Sequence, residues 1–153
     1  MSVFKLEKKQ LSVPGVGKKS FVEILTAKQY GKIYLMLGLN ELGYQESVVE
    51  QKYKEIVELI RANQSGAILY LCANLHVTEA QSQKDAIYNN DKVNWVNEMI
   101  SQLADGERCI YIDINEVFDD ETGSLNEEYS SDAFHVYAKH YVEWVDWLCT
   151  KGV

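Results

Sequence analysis

Asp132 and His135 stand three positions apart at the end of a polar stretch, Tyr129-Ser130-Ser131-Asp132-Ala133-Phe134-His135, and an aromatic-rich amphipathic run follows directly. An imidazole takes up a proton well near neutral pH only when its ring is oriented and its cation is stabilised. A carboxylate hydrogen-bonded to Nδ1 does both and leaves Nε2 free as the base. Asp-x-x-His lets one loop carry both groups. On spacing alone the plainer reading is that Asp132 caps a helix and His135 merely follows in its first turn.

Gly38-Leu39-Asn40-Glu41 is the second stretch with chemical content. An Asn amide is a neutral donor that, at a strand end, can face an oxyanion forming on an attacked carbonyl. Gly38 lets the chain turn tightly beneath it. The alternative is an ordinary turn in which the Asn stabilises its own backbone. Asn74 and His76 follow another apolar run. With Gly38 and Glu41 they are candidates to line a pocket, although a hydrogen-bonded loop His is the plainer reading of His76. His140 reads as structural or surface. The acidic residues Asp119, Asp120, Glu121, Glu127 and Glu128 fit no calcium-loop spacing and read as a solvated turn. No Cys/His cluster has zinc spacing, and no Gly-rich loop suits phosphate or a dinucleotide. No cofactor is expected.

The elements that must position these residues are legible from periodicity. Lys5, Lys8, Lys9, Lys18 and Lys19 make residues 1–19 basic, with a possible hairpin turning at Pro14-Gly15-Val16-Gly17. Ser20 and Glu23 form a capping box for a short helix from Phe21 to about Lys28. Lys32–Leu37, Ala67–Cys72 and Cys109–Asp113 are apolar runs too short for helices and without polar alternation. Such runs are typical of parallel strands covered on both faces. Helical spacing marks 47–61, with Val48, Tyr53, Ile56, Val57 and Ile60. It also marks 91–104 and about 136–149, the last with an inner stripe of Tyr137, Tyr141, Trp144, Val145 and Leu148. Residues 79–90 and about 115–131 read as loops. Strand and helix in alternation predict an α/β domain with a parallel sheet over residues 20–153. Ligands of such sheets bind beyond the carboxyl ends of the strands, and all three candidate loops leave strands at that edge.

Composition bounds the function. The chain has 153 residues, enough for one domain with a real core. Its net charge of −8 opposes nucleic-acid binding. No apolar run is long enough for a membrane helix and no signal peptide is visible, so a cytoplasmic location is expected. Cys72, Cys109 and Cys149 are odd in number and widely spaced, as reduced thiols would be.

Two blocks carry a family resemblance. Tyr34-Leu35-Met36-Leu37-Gly38-Leu39-Asn40-Glu41 resembles the Gly-x-Asn-Asp block of the SGNH (GDSL-type) hydrolases, with Glu41 where Asp is usual. Asp132-Ala133-Phe134-His135, followed by Tyr141 and Trp144, resembles that family's closing Asp-x-x-His block. The resemblance spans about residues 30–150. It implies a flavodoxin-like three-layer α/β/α fold and esterase activity on small O-acyl substrates. His135 would be general base, Asp132 its orienting carboxylate and Asn40 an oxyanion donor. The family's Gly-Asp-Ser nucleophile block occurs nowhere in the chain. The chain therefore reads as an N-terminally truncated hydrolase domain, inactive alone. A homo-oligomer, or a second chain supplying the missing strands, is expected. Rival readings are a catalytically dead, oligomerising remnant and a flavodoxin-like small-ligand binding module.

Overall fold

The computed structural model describes residues 1–151. A three-stranded parallel sheet of β3 (Lys32–Leu35), β4 (Ile68–Cys72) and β5 (Cys109–Ile112) has β4 in its centre. Register runs Tyr34 to Tyr70 to Ile110. Each strand follows its neighbour through a helix: α3 (Glu46–Asn63) between β3 and β4, and α5 (Asn90–Ser101) between β4 and β5. Two right-handed crossovers taken in the same direction put both helices on one face. Leu35, Leu37, Leu69 and Leu71 meet Val49, Tyr53, Ile56 and Ile60 of α3 and Val93, Val96 and Ile100 of α5 there, in one core.

The opposite face carries Tyr34, Met36, Tyr70 and Cys72, the alternate residues of the same strands. Tyr34 and Tyr70 stack across it with ring centroids 5.0 Å apart. Among the described residues, α7 (Tyr141–Thr150) and a smaller cluster of Ile114, Phe118, Leu125 and Val136 serve this side. The parallel sheet between helices agrees with the sequence reading, but its coverage does not. Tyr34 is 45% exposed, so β3 is not buried on both faces.

The last helix also departs from expectation. It begins at Tyr141, because Val136 forms a β-bridge with Ser130 and 138–140 is a 3-10 turn. Trp144 and Trp147 contact the smaller cluster, whereas Tyr137, Tyr141 and Val145 of the expected inner stripe are exposed. Their apolar spacing is real, but the surface that would bury it is missing from the described residues.

Short helices occupy three stretches read as loop or coil. Ser2 caps α1 (Val3–Leu6), and α2 (Phe21–Ala27) follows the antiparallel hairpin of β1 (Leu11–Val13) and β2 (Gly17–Lys19). Thr78 caps α4 (Glu79–Lys84), and α6 (Asn115–Phe118) opens directly after β5. Among the described residues no helix is long and apolar enough to cross a membrane.

Candidate active site

The Asp132–His135 loop is built by one carboxylate. Asp132 Oδ1 accepts the backbone N–H groups of Phe134 and His135, both at 2.9 Å, and the Ser130 hydroxyl at 3.2 Å. Its Oδ2 lies 2.7 Å from His135 Nδ1. The Phe134 N–H, with the imidazole beside it, holds the Asp132 carboxyl well below the usual carboxylate range. An ionised acceptor at Nδ1 fixes the proton on that nitrogen and leaves Nε2 as the free lone pair. His135 Nε2 has no hydrogen-bond partner among the described residues, and the side chain is 77% exposed. Ala133 carries the turn at φ 71°. Left-handed backbone costs an alanine about 1 kcal/mol. Ala133→Gly should therefore stabilise the fold by roughly that amount, a rise of about 2–4 °C in Tm for this chain length, read by thermal melting.

Asn40 lies in the 3-10 turn Leu39–Glu41 that follows β3 and is exposed. Its Nδ2 donates to the Met1 carbonyl at 3.1 Å. Beside it the Glu41 carboxyl is fully buried, and Oε1 accepts the Val3 N–H at 3.1 Å. The N-terminal segment therefore sits on this loop and against α3. It does not pair with the edge of β3.

Gly38, Glu41 and Asn74 are buried. Asn74 is a strut. Its Nδ2 donates to the Leu37 carbonyl at 2.9 Å, and its Oδ1 accepts the Leu39 N–H at 3.2 Å. Asn97 on α5 exchanges a pair of bonds with the Asn74 backbone, 2.8 and 2.9 Å, and Asn115 donates to the Asn74 carbonyl at 3.0 Å. Three buried asparagines thus lock the Asn40 loop to the exit of β4. Sequence reasoning missed Asn97 and Asn115. Asn97 left a trace, one amide on the apolar face Val93, Val96, Ile100, where a polar residue signals a buried partner.

His76 is part of the frame. Nδ1 lies 2.7 Å from Asp119 Oδ2, and Nε2 lies 2.8 Å from Asn94 Oδ1. Burial opposes its charge, but the bonds to Asp119 and Asn94 outweigh it and raise the pKa. Asp119 is therefore a partner of His76 rather than part of a solvated turn, and Asp120 caps Thr122. His140 bonds Glu143 and meets the Tyr129 ring edge-on.

The Asp132–His135 and Asn40 loops are linked around one rim. The Thr78 N–H donates to the Ala133 carbonyl at 3.2 Å. Tyr88 meets Phe134 edge-on at 6.0 Å, and its neighbour Ile87 lies against Gly43, just past Asn40. No serine hydroxyl bonds a histidine nitrogen among the described residues. Burial pushes the Cys72 thiol up to about 12, which leaves too little thiolate for a nucleophile. No group of three or more His, Cys, Asp or Glu could hold a metal ion among the described residues.

Two comparisons with known proteins bear on this arrangement. The family model for the GDSL-like lipase/acylhydrolase family matches residues 15–141. A solved structure from Streptococcus pneumonia, provisionally named a platelet activating factor, is similar at TM-score 0.64 and 25% identity. The match covers 78% of this chain and 60% of that one, so this chain spans less than two thirds of that protein's length. No curated protein matches the sequence. With a family match running from the hairpin into the start of α7, and the fold shared with a solved relative, the chain belongs to the GDSL-like lipase/acylhydrolase family.

Proposed function

We propose that this chain carries the acid–base and oxyanion portion of an esterase acting on small O-acyl substrates. The observation that carries the reading is the Asp132–His135 pair, at 2.7 Å with Nε2 open. In that reaction an attacking hydroxyl oxygen bonds to the ester carbonyl carbon as its proton passes to His135 Nε2. Asp132 stabilises the imidazolium through Nδ1, and the Asn40 amide donates to the oxyanion. Collapse of the tetrahedral species breaks the bond to the alcohol oxygen, which takes the proton back from Nε2. The pair lacks a hydroxyl to activate, so the chain by itself is a poor catalyst.

The test is p-nitrophenyl acetate hydrolysis by the 153-residue protein and its His135→Ala variant, with a fluorophosphonate label for activated serine. The expected result is a rate no higher than that of free imidazole, lost in His135→Ala, and no labelled serine. A fast rate that survives His135→Ala overturns the assignment of the base. A fast rate that His135→Ala abolishes, with a labelled serine, overturns the inactivity of the lone chain. One observation favours a second reading, a non-catalytic form of the fold: the Met1 carbonyl already takes one N–H of the Asn40 amide.

A further inference from the structure

The outer edge of β3 is unpaired, since β4 is its sole partner among the described residues. The Gly31 carbonyl accepts the Ile68 N–H on the β4 side. By alternation along the strand, the backbone groups of Lys32 and Tyr34 face the open side. Between this edge and α7 runs a groove of about 330 Å³. Tyr34, Met36 and Cys72 line it from the sheet, and Tyr141, Val145 and Leu148 from the helix, with no charged side chain. No residue of α7 is fully buried, although the helix is mostly apolar. Val142 and Val145 are 64% and 56% exposed. A parallel sheet is ordinarily covered on both faces, and an apolar groove beside a bare strand edge is an interaction site.

The N-terminal segment does not fill it, because α1 packs on α3 and the hairpin pairs with itself. A charged ligand would find no counter-ion there. The groove fits a body that offers a strand edge and an apolar ridge side by side. This chain is such a body, since its β3 edge and the Tyr141–Val142–Val145 ridge of α7 flank the same groove. A two-fold axis needs one patch holding both the projection and the recess. Charge selects the same face, because two copies of −8 repel over most of their surface and this groove is neutral. We propose that a second copy of this chain docks here, the two β3 strands pairing antiparallel about an axis at Tyr34. Each α7 ridge then lies on the partner's uncovered sheet face. Lys32, the one charge in β3, opens the strand and keeps its ammonium at the rim. The proposal rests on the open edge and groove and is independent of the hydrolytic reading.

Sedimentation equilibrium of the 153-residue protein at micromolar concentration tests it. The expected mass is twice 17.5 kDa. Tyr34→Glu and Val145→Glu each place a charge in the interface and should weaken association by about a hundredfold or more. Both side chains are about half exposed in the single copy (45% and 56%) and neither belongs to the buried core, so circular dichroism should stay unchanged. Val16→Glu, on the hairpin, should leave the dimer intact. A wild-type monomer, or a dimer indifferent to both interface variants, overturns the proposal. So does a monomer whose groove is filled instead by a strand–helix segment of another polypeptide.

Discussion

Gly38→Ala should lower stability by about 3–5 kcal/mol, the range of severe core disruption. The backbone at Gly38 has φ 137°, which L side chains rarely adopt. A Cβ there would stand 2.6 Å from Val96 Cγ1 and 2.7 Å from Asn74 Nδ2. Neither neighbour can yield. Val96 is a buried, β-branched residue of α5, and the Asn74 amide already bonds the Leu37 carbonyl and the Leu39 N–H. The added methyl therefore acts on the strut that fixes the Asn40 loop as well as on packing. The measurement is urea unfolding followed by tryptophan fluorescence, where the midpoint should fall at nearly unchanged slope. A midpoint within about 1 kcal/mol of wild type would show that this turn is not held as described.

His76→Ala should cost a similar amount, about 3–5 kcal/mol, because it strands a carboxylate. Asp119 is largely buried and its Oδ1 has no partner, so His76 is the main compensation for its charge. The same pair gives the fold a pH dependence of definite sign. A histidine whose folded pKa is raised stabilises fully below its unfolded value of about 6.5 and loses that contribution as pH rises through the folded pKa. Wild type should therefore be less stable at pH 8.5 than at pH 6. His76→Gln, which keeps a hydrogen-bonding side chain without titrating, should lose most of that difference. Asp132, whose pKa is lowered, acts in the other direction, but only in acid. Denaturation curves at the two pH values separate the contributions. Equal pH dependence in wild type and His76→Gln would contradict the role given to His76.

The sheet was legible because its strands are unbroken apolar runs, and the Asp132 loop because one carboxylate organises four consecutive residues. The rest depended on distance in space. His76 and Asp119 are 43 residues apart, and nothing local to either marks the other. Asn74, Asn97 and Asn115 meet only because the chain leaving β4 and the chain leaving β5 come together against the middle of α5. The short helices α1, α4 and α6 have four to six residues each, too few to show a period. The stripe on α7 was visible as a pattern, but a pattern marks a face that wants cover without saying that cover is present.

The Met1 carbonyl on Asn40 turns the loop into a competitor for its own donor. An oxygen that needs both N–H groups of that amide must displace the Met1 carbonyl, and releasing the whole segment exposes Val3, which is fully buried, and removes the Val3 N–H from the Glu41 carboxyl. Exposing such a valine alone costs about 2 kcal/mol. The released form would then be a minority of a few per cent, and the apparent affinity of a ligand that needs both N–H groups of Asn40 would fall by roughly thirtyfold from its intrinsic value. Affinity at this site is in that sense a property of the first six residues as much as of the turn that carries the amide.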